Sequence, residues 1–167
     1  METSLTLLVA GIAMVMDLRW MRVENGWILC SLVSGLLFQL CSNGTAGLFY
    51  FLTGVAFPAV ILGGLFVFRM LGAGDIKLFC ALGGFMGVKT VGKCMIASFF
   101  LGGGISFLIL IFYGDFHQRI RYFMNYFQEL FCTGKIRPYY KAEMTLENFH
   151  FTVPVFMSVL LHMGGVY

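Results

Sequence analysis

Long apolar blocks separated by short polar connections dominate this sequence. Hydrophobic residues make up 59% of the 167 residues and charged residues only 11%, whereas charged residues average about 25% in soluble domains. A soluble fold of this size could not bury so much apolar surface. The pattern therefore predicts an all-α fold: one integral membrane domain, residues 1–167, forming a polytopic bundle of about six transmembrane helices. The predicted spans are residues 4–16, 27–41, 47–68, 76–88, 94–113 and 149–166.

The positively charged residues predict which helix ends face the cytoplasm. Glu2 stands where a signal peptide would carry a basic residue, so the first block is predicted to remain as a helix. With the N-terminus outside, the first, third and fifth connections carry nine of the 11 Lys and Arg residues. Connections rich in Lys and Arg stay in the cytoplasm. Asp17 and Asp75 are therefore expected at the same, cytoplasmic, membrane face.

The fifth connection, residues 114–148, is long and patterned. Apolar side chains at helical spacing alternate with basic and polar ones, which is typical of an amphipathic helix lying in the membrane interface. A small cytoplasmic lid is the alternative. Asp115 at its start is predicted to be a helix N-cap. The apolar positions are Phe116, Ile120, Phe123, Phe127 and Leu130.

Asp75 follows a long apolar run and a Gly-Ala-Gly stretch. A carboxylate close to the hydrocarbon is costly and marks a candidate functional site, although an N-cap for a helix beginning at Ile76 is an alternative. Asp17 also ends an apolar run and is the expected partner of Asp75. Two carboxylates about 3 Å apart share one proton. The ionised one can then deprotonate a water while the protonated one polarises a peptide carbonyl, which is general acid–base hydrolysis.

This chemistry needs neither a metal nor a cofactor, and none is predicted. The five cysteines show no C-x-x-C spacing, so neither a zinc site nor a disulfide framework is expected. His117, His150 and His162 are spread along the chain and are interpreted as separate polar contacts. Gly72 and Gly74 would let a substrate backbone approach and permit a positive φ. The expected partners are a protein substrate and the lipid bilayer, without nucleic acid.

Two motifs resemble those of the type IV prepilin peptidases. Residues 72–78, Gly-Ala-Gly-Asp-Ile-Lys-Leu, resemble that family's Gly-x-Gly-Asp-x-Lys-Leu signature. Residues 17–25, Asp-Leu-Arg-Trp-Met-Arg-Val-Glu-Asn, resemble its first aspartate motif, an Asp followed by basic residues and Ile-Pro-Asn. The six-span layout and Pro154 near the start of the last span are also similar. The match is closest to the short, peptidase-only members found with tight-adherence pili (the TadV or CpaA type).

The resemblance implies that Asp17 and Asp75 form the catalytic dyad of a GxGD-type intramembrane aspartic endopeptidase. Such enzymes cut the basic leader from prepilin-like proteins at the cytoplasmic face of the cell membrane. Residues that match or flank the motifs are expected to shape the site or bind substrate. They are Gly72, Gly74, Lys77, Glu24 and Asn25.

Two departures from the family pattern matter. Glu24 stands where the family has proline, which adds a carboxylate near the site; pairing with Arg19 or Arg22 is its expected role. Longer family members carry a cytoplasmic insertion with paired C-x-x-C motifs and also methylate the new N-terminus. Here the first connection is short and has no cysteine, so methyltransferase activity is not expected.

Two alternatives remain open at the level of sequence. One is a catalytically inactive homologue that only binds pilin subunits. The other is a small membrane transporter or scaffold whose aspartates line a proton or cation path. A path would need further polar residues deep in the spans, where Gln39 and a few Ser and Thr are the candidates.

Overall fold

The computed structural model describes residues 2–67, 71–112 and 150–166, and their regular secondary structure is entirely α-helical. The predicted all-α class is confirmed for these residues. Within these described residues, three helices are long and apolar enough to cross a membrane, namely Thr3–Trp20, Asn25–Val67 and Ala73–Ile109. The full helices are α1 (Glu2–Trp20), α2 (Asn25–Val67), α3 (Ala73–Phe112) and α4 (Thr152–Met163).

α2 folds back on itself at Gly44. This residue has φ 57° and ψ −136°, a backbone conformation that side chains with a Cβ rarely adopt. A Cβ atom added at Gly35 would lie 3.3 Å from the Phe51 ring, although residues 35 and 51 would be about 24 Å apart in a straight helix. The two halves of α2 are therefore antiparallel, and the reversal lies in the predicted second connection.

α3 reverses in the same way at Gly87, where φ is 72° and ψ is 173°. The rings of Phe79 and Phe99 lie 6.3 Å and 5.5 Å from the Phe151 ring, centroid to centroid. In a straight helix, residues 79 and 99 would be about 30 Å apart, so both can reach one aromatic ring only if α3 turns back. This reversal lies at the start of the predicted fourth connection.

The predicted blocks map onto these helices with shifted ends. α1 continues past residue 16, which places Asp17 in its last turn. α2 contains the second and third blocks, and α3 contains the fourth and fifth. α4 lies within the sixth block, with Pro154 in its first turn, where a proline removes no helical hydrogen bond. The predicted interfacial helix and Asp115 lie outside the described residues.

The first half of α3 is the centre of the core. Every residue from 81 to 87 is buried, and Leu78 and Phe79 are also fully buried. The backbones of Gly54 and Gly83 touch, because neither residue has a side chain to separate the two helices. The other core side chains come from all four helices and include Val9, Ala13, Ile28, Leu62, Val91, Cys94, Val155 and Val159.

Two side chains of α2 bind the carbonyl groups that the reversal of α3 releases. The last carbonyls of a helix have no partner within that helix, and lipid offers them no donor. Gln39 Nε2 donates to the Phe85 carbonyl at 3.0 Å, and Tyr50 Oη donates to the Met86 carbonyl at 2.8 Å. Gln39 is fully buried and also accepts a bond from Asn43 Nδ2 at 3.1 Å. Gln39, one of the few polar candidates for an ion path, thus has a structural role.

The chain divides into two compact units. One consists of Met1–Gly102 and His150–Tyr167, and it contains the core side chains, both helix reversals and the bonds of Gln39 and Tyr50. The other is Gly103–Phe149, of which the structure describes the end of α3.

Replacing Gln39 with Leu should lower the free energy of unfolding by about 1–2 kcal/mol, because the buried Phe85 carbonyl loses its donor. Ser34→Ala is the matched control on the same helix. Its hydroxyl bonds only the Ser31 carbonyl of its own turn, so the melting temperature should hardly change. Equal melting temperatures for Gln39→Leu and the unchanged protein, measured in detergent, would show that the α3 reversal does not depend on this bond.

Candidate active site

Asp75 lies in the first turn of α3. The helix begins at Ala73 rather than at Ile76, so the prediction that Asp75 is the N-cap residue is wrong in position. Gly72 occupies the N-cap position, and its carbonyl accepts a bond from the Ile76 N–H at 3.4 Å. The Asp75 carboxylate reaches back to the Gly72 N–H, as an acidic residue does at the third position of a capping box.

The position of the Asp75 carboxylate explains why residue 72 is a glycine. A Cβ atom added at Gly72 would lie 3.0 Å from Asp75 Oδ2, whereas one added at Gly74 would meet nothing within 4 Å. Among the described glycines, positive φ occurs only at Gly44, Gly87 and Gly165. Gly72 therefore leaves room for the carboxylate, and Gly74 leaves open space beside it. Neither glycine uses the positive φ that the sequence suggested.

The side chain of Asp17 contacts residues near the C-terminal end of the sequence. Thr152 Oγ1 donates to Asp17 Oδ2 at 2.7 Å, and His150 Nδ1 lies 3.1 Å from the same oxygen. The side chains of Asp17 and His150 are 15% and 20% exposed, and Thr152 is buried. The last turn of α1 and the start of α4 thus form one polar cluster at the edge of the core.

The structure brings Asp17 and Asp75 together. A negative charge on Asp17 is near enough to repel one on Asp75. Both side chains are half-buried, so water screens this repulsion only in part. The repulsion makes it costly for both acids to be ionised at once.

The polar residues of the two motifs also meet. Lys77 Nζ donates to Asn25 Oδ1 at 2.8 Å across the exposed rim. This bond joins the first residue of α2 to the first turns of α3, so it fixes the starts of two helices relative to each other. The bond therefore connects a polar residue of the first motif with one of the second.

Glu24 occupies the position before α2. Its carbonyl accepts the Ile28 N–H at 3.3 Å, and its exposed carboxylate lies at a helix N-terminus, where a negative charge is favourable. In the described part of the chain no ion pair joins Glu24 to Arg19 or Arg22.

Met21, the residue after α1, has φ 53°, the left-handed conformation that often closes a helix.

His150 and Thr152 were not among the residues that the sequence marked for the site. They are more than 130 positions away from Asp17, and no local spacing connects them. The signal available in the sequence was the predicted topology, in which the sixth span would begin at the membrane face where spans one and three end. No group of three or more His, Cys, Asp or Glu with metal-binding geometry occurs in the described residues.

These observations define a helical membrane protein with two interacting aspartates and a polar cluster at one edge of its core. The sequence model of the type IV leader peptidase family matches residues 4–107. The match covers more than half of the chain, which therefore belongs to that family. Comparisons with curated proteins and with solved structures found no match.

Gly72→Ala and Gly74→Ala should have different effects, because Gly72 makes room for the Asp75 carboxylate and Gly74 borders open space. The first methyl group displaces the Asp75 carboxylate from the Gly72 N–H, so cleavage of a prepilin-like substrate should fall at least about tenfold. The second fills open space and should raise the free energy of unfolding by about 0.5–1 kcal/mol, because Ala favours a helix over Gly. Initial rates and thermal unfolding of both variants test this, and unchanged cleavage by Gly72→Ala contradicts it.

Proposed function

We propose that this protein is an aspartic endopeptidase that removes the basic leader of type IV prepilin-like proteins. Asp17 and Asp75 are the catalytic dyad, and the reaction needs no metal or cofactor. The observation that carries the proposal is the electrostatic interaction of two half-buried aspartates that lie 58 positions apart, one in each family-like motif. In the proposed mechanism they form the proton-sharing pair that peptide hydrolysis requires.

The reaction proceeds by water addition. The ionised aspartate takes a proton from a water, whose oxygen bonds to the scissile carbonyl carbon, while the protonated aspartate gives its proton to the carbonyl oxygen. The resulting gem-diol collapses as its C–N bond breaks. The nitrogen takes a proton from the first aspartate, and a diol hydroxyl returns a proton to the second. The products are a carboxylic acid and an amine, and the dyad again holds one proton.

The open space beside Gly74 suits an extended substrate backbone. Apart from its chain neighbours and its own helix backbone, no described atom lies within 4 Å of the place where its Cβ would be, and the residue precedes Asp75. In the proposed complex an extended peptide backbone occupies this space. An apolar helix of the mature pilin would lie in lipid against the bundle, while its basic leader meets the acidic rim formed by Asp17, Glu24 and Asp75.

The proposed topology has six spans, with α2 and α3 each contributing two. The reversals at Gly44 and Gly87 support this count, because each turns one long helix into an antiparallel pair. The positively charged first, third and fifth connections place the dyad at the cytoplasmic face. Arg19 and Arg22, both exposed near Asp17, suit contact with anionic lipid headgroups. The peptidase-only, tight-adherence subtype without methyltransferase activity is part of the proposal, since the first connection lacks the cysteine-containing insertion.

An ion path finds less support in the described residues. Gln39, Ser31 and Ser98 are buried, yet each bonds a protein carbonyl rather than lining an open route. A row of unsatisfied polar groups would instead be expected along a proton or cation path.

The direct test is cleavage of a co-expressed prepilin-like substrate by the unchanged protein and three variants. Asp17→Asn and Asp75→Asn keep the side-chain shape but cannot supply the acid, so each should cut below about 1% of the normal rate. Asp115→Asn, which changes the third aspartate of the chain, should cut normally. Product masses should place the cut at the end of the basic leader.

Three results would count against the proposal. Full cleavage by Asp75→Asn would reduce that residue to a helix-capping role. Equal loss in all three variants would point to impaired folding, which melting temperatures would reveal. Binding without cleavage by the unchanged protein, across prepilins with basic leaders, would favour the inactive-homologue alternative.

Glu24→Gln should raise KM about two- to fivefold without changing kcat, because an exposed charge contributes modestly to the attraction of a basic leader. The matched control is a substrate whose leader lysines are replaced by glutamine, for which the variant and the unchanged enzyme should have the same KM. A changed kcat with an unchanged KM would place Glu24 in the chemical step instead.

A further inference from the structure

We propose that His150 and Thr152 are positioning residues that hold Asp17 as the ionised, proton-accepting member of the dyad and leave the shared proton on Asp75. The proposal rests on the peptidase function above and assigns the two acids separate roles. Asp17 takes the proton from the water, and Asp75 gives its proton to the scissile carbonyl.

The first argument is that two side chains donate hydrogen bonds to the same oxygen, Asp17 Oδ2. Thr152 Oγ1 donates to Asp17 Oδ2 at 2.7 Å, and His150 Nδ1 is 3.1 Å from that oxygen. An ionised carboxylate only accepts, so His150 bonds it through an Nδ1–H. Hydrogen bonds donated to a carboxylate favour its charged form. With Oδ2 occupied, Oδ1 is the oxygen left to receive a proton from water.

The second argument is the contrast with Asp75. That carboxylate accepts from the backbone N–H of Gly72, and the mutual repulsion of the two carboxylates makes it costly for both to be ionised. When a single proton is shared, it stays on the acid whose negative charge is less stabilised. The side-chain donors on Asp17 and the single backbone donor on Asp75 therefore place the proton on Asp75.

These bonds are not needed to dock α4. Farther along that helix, Ser158 Oγ lies 2.8 Å from Cys94 Sγ and 2.8 Å from Ser98 Oγ, and all three side chains are buried. Val155 and Val159 are also fully buried beside them. Because this cluster and its apolar neighbours already fix α4 against α3, the bonds at its start are available to orient Asp17.

The test compares matched pairs in the full-length protein, reconstituted in liposomes with a prepilin-like substrate. Thr152→Val keeps the shape without the hydroxyl, and Thr152→Ser keeps the hydroxyl. His150→Leu removes the ring nitrogens, and His150→Asn keeps an amide nitrogen at the δ position. His162→Asn makes the same change near the other end of α4, about 18 Å along the helix by its rise, and is the control.

Thr152→Val and His150→Leu should each lower kcat about 10- to 100-fold, because a misplaced catalytic group costs a factor of that order. KM should stay within about twofold of its normal value. Thr152→Ser and His150→Asn should recover most of kcat, and His162→Asn should match the unchanged enzyme. Melting temperatures show whether a loss comes from folding; if His150→Leu does not fold, the Thr152 pair decides alone.

The proposal is overturned if Thr152→Val and His150→Leu cut at the normal rate, or if the hydroxyl and amide variants fail to restore kcat while remaining folded. Asp17→Asn and Asp75→Asn, run in parallel, separate the two levels of inference. If both are inactive while Thr152→Val and His150→Leu are normal, the dyad stands and only the role of the positioning residues falls. If either Asn variant cuts normally, the dyad falls, and the positioning role falls with it.

Discussion

A backbone carbonyl that is buried where a helix ends must find a donor within the protein. This constraint acts at Gly87, a buried residue at which α3 turns back. Gln39 and Tyr50 bind the two carbonyls just before the turn, and the Gly54–Gly83 contact lets the backbones of α2 and α3 meet. These contacts fix the first half of α3 at the centre of the bundle. The position of Asp75, three residues into that helix, follows from them.

The polar groups of the site lie where helices begin or end. Asp17 is in the last turn of α1, Asn25 begins α2, Asp75 and Lys77 are in the first turns of α3, and Thr152 begins α4. Helix ends are where backbone groups lack partners and where side chains can reach water. A buried core with polar helix ends can thus hold two acids close together without placing them deep in lipid. Four helix ends from distant parts of the sequence define one site.

Much of this arrangement follows from the sequence. The apolar blocks predicted helices throughout, and the distribution of Lys and Arg predicted that Asp17 and Asp75 share a membrane face. Other features could not be read in advance. One interpretation of the sequence began the helix at Ile76, but Ala73 and Gly74 are already helical, because the Asp75 carboxylate binds the N–H of Gly72 at the N-cap position. The partners of Asp17 depend on the packing of α4 against α1, for which local spacing gives no signal.

The central claim is that Asp17 and Asp75 face each other in one site, and cysteine cross-linking tests it most directly. In a chain whose five native cysteines are replaced, Asp17→Cys with Asp75→Cys should be joined by a short bifunctional thiol reagent in native membranes. Leu18→Cys with Asp75→Cys is the matched control, because Leu18 is 51% exposed and lies about 100° around the helix from residue 17. Efficient linkage of the 17–75 pair and weak linkage of the 18–75 pair is the predicted result. Linkage of the control pair alone, or of neither pair in folded protein, would contradict the account.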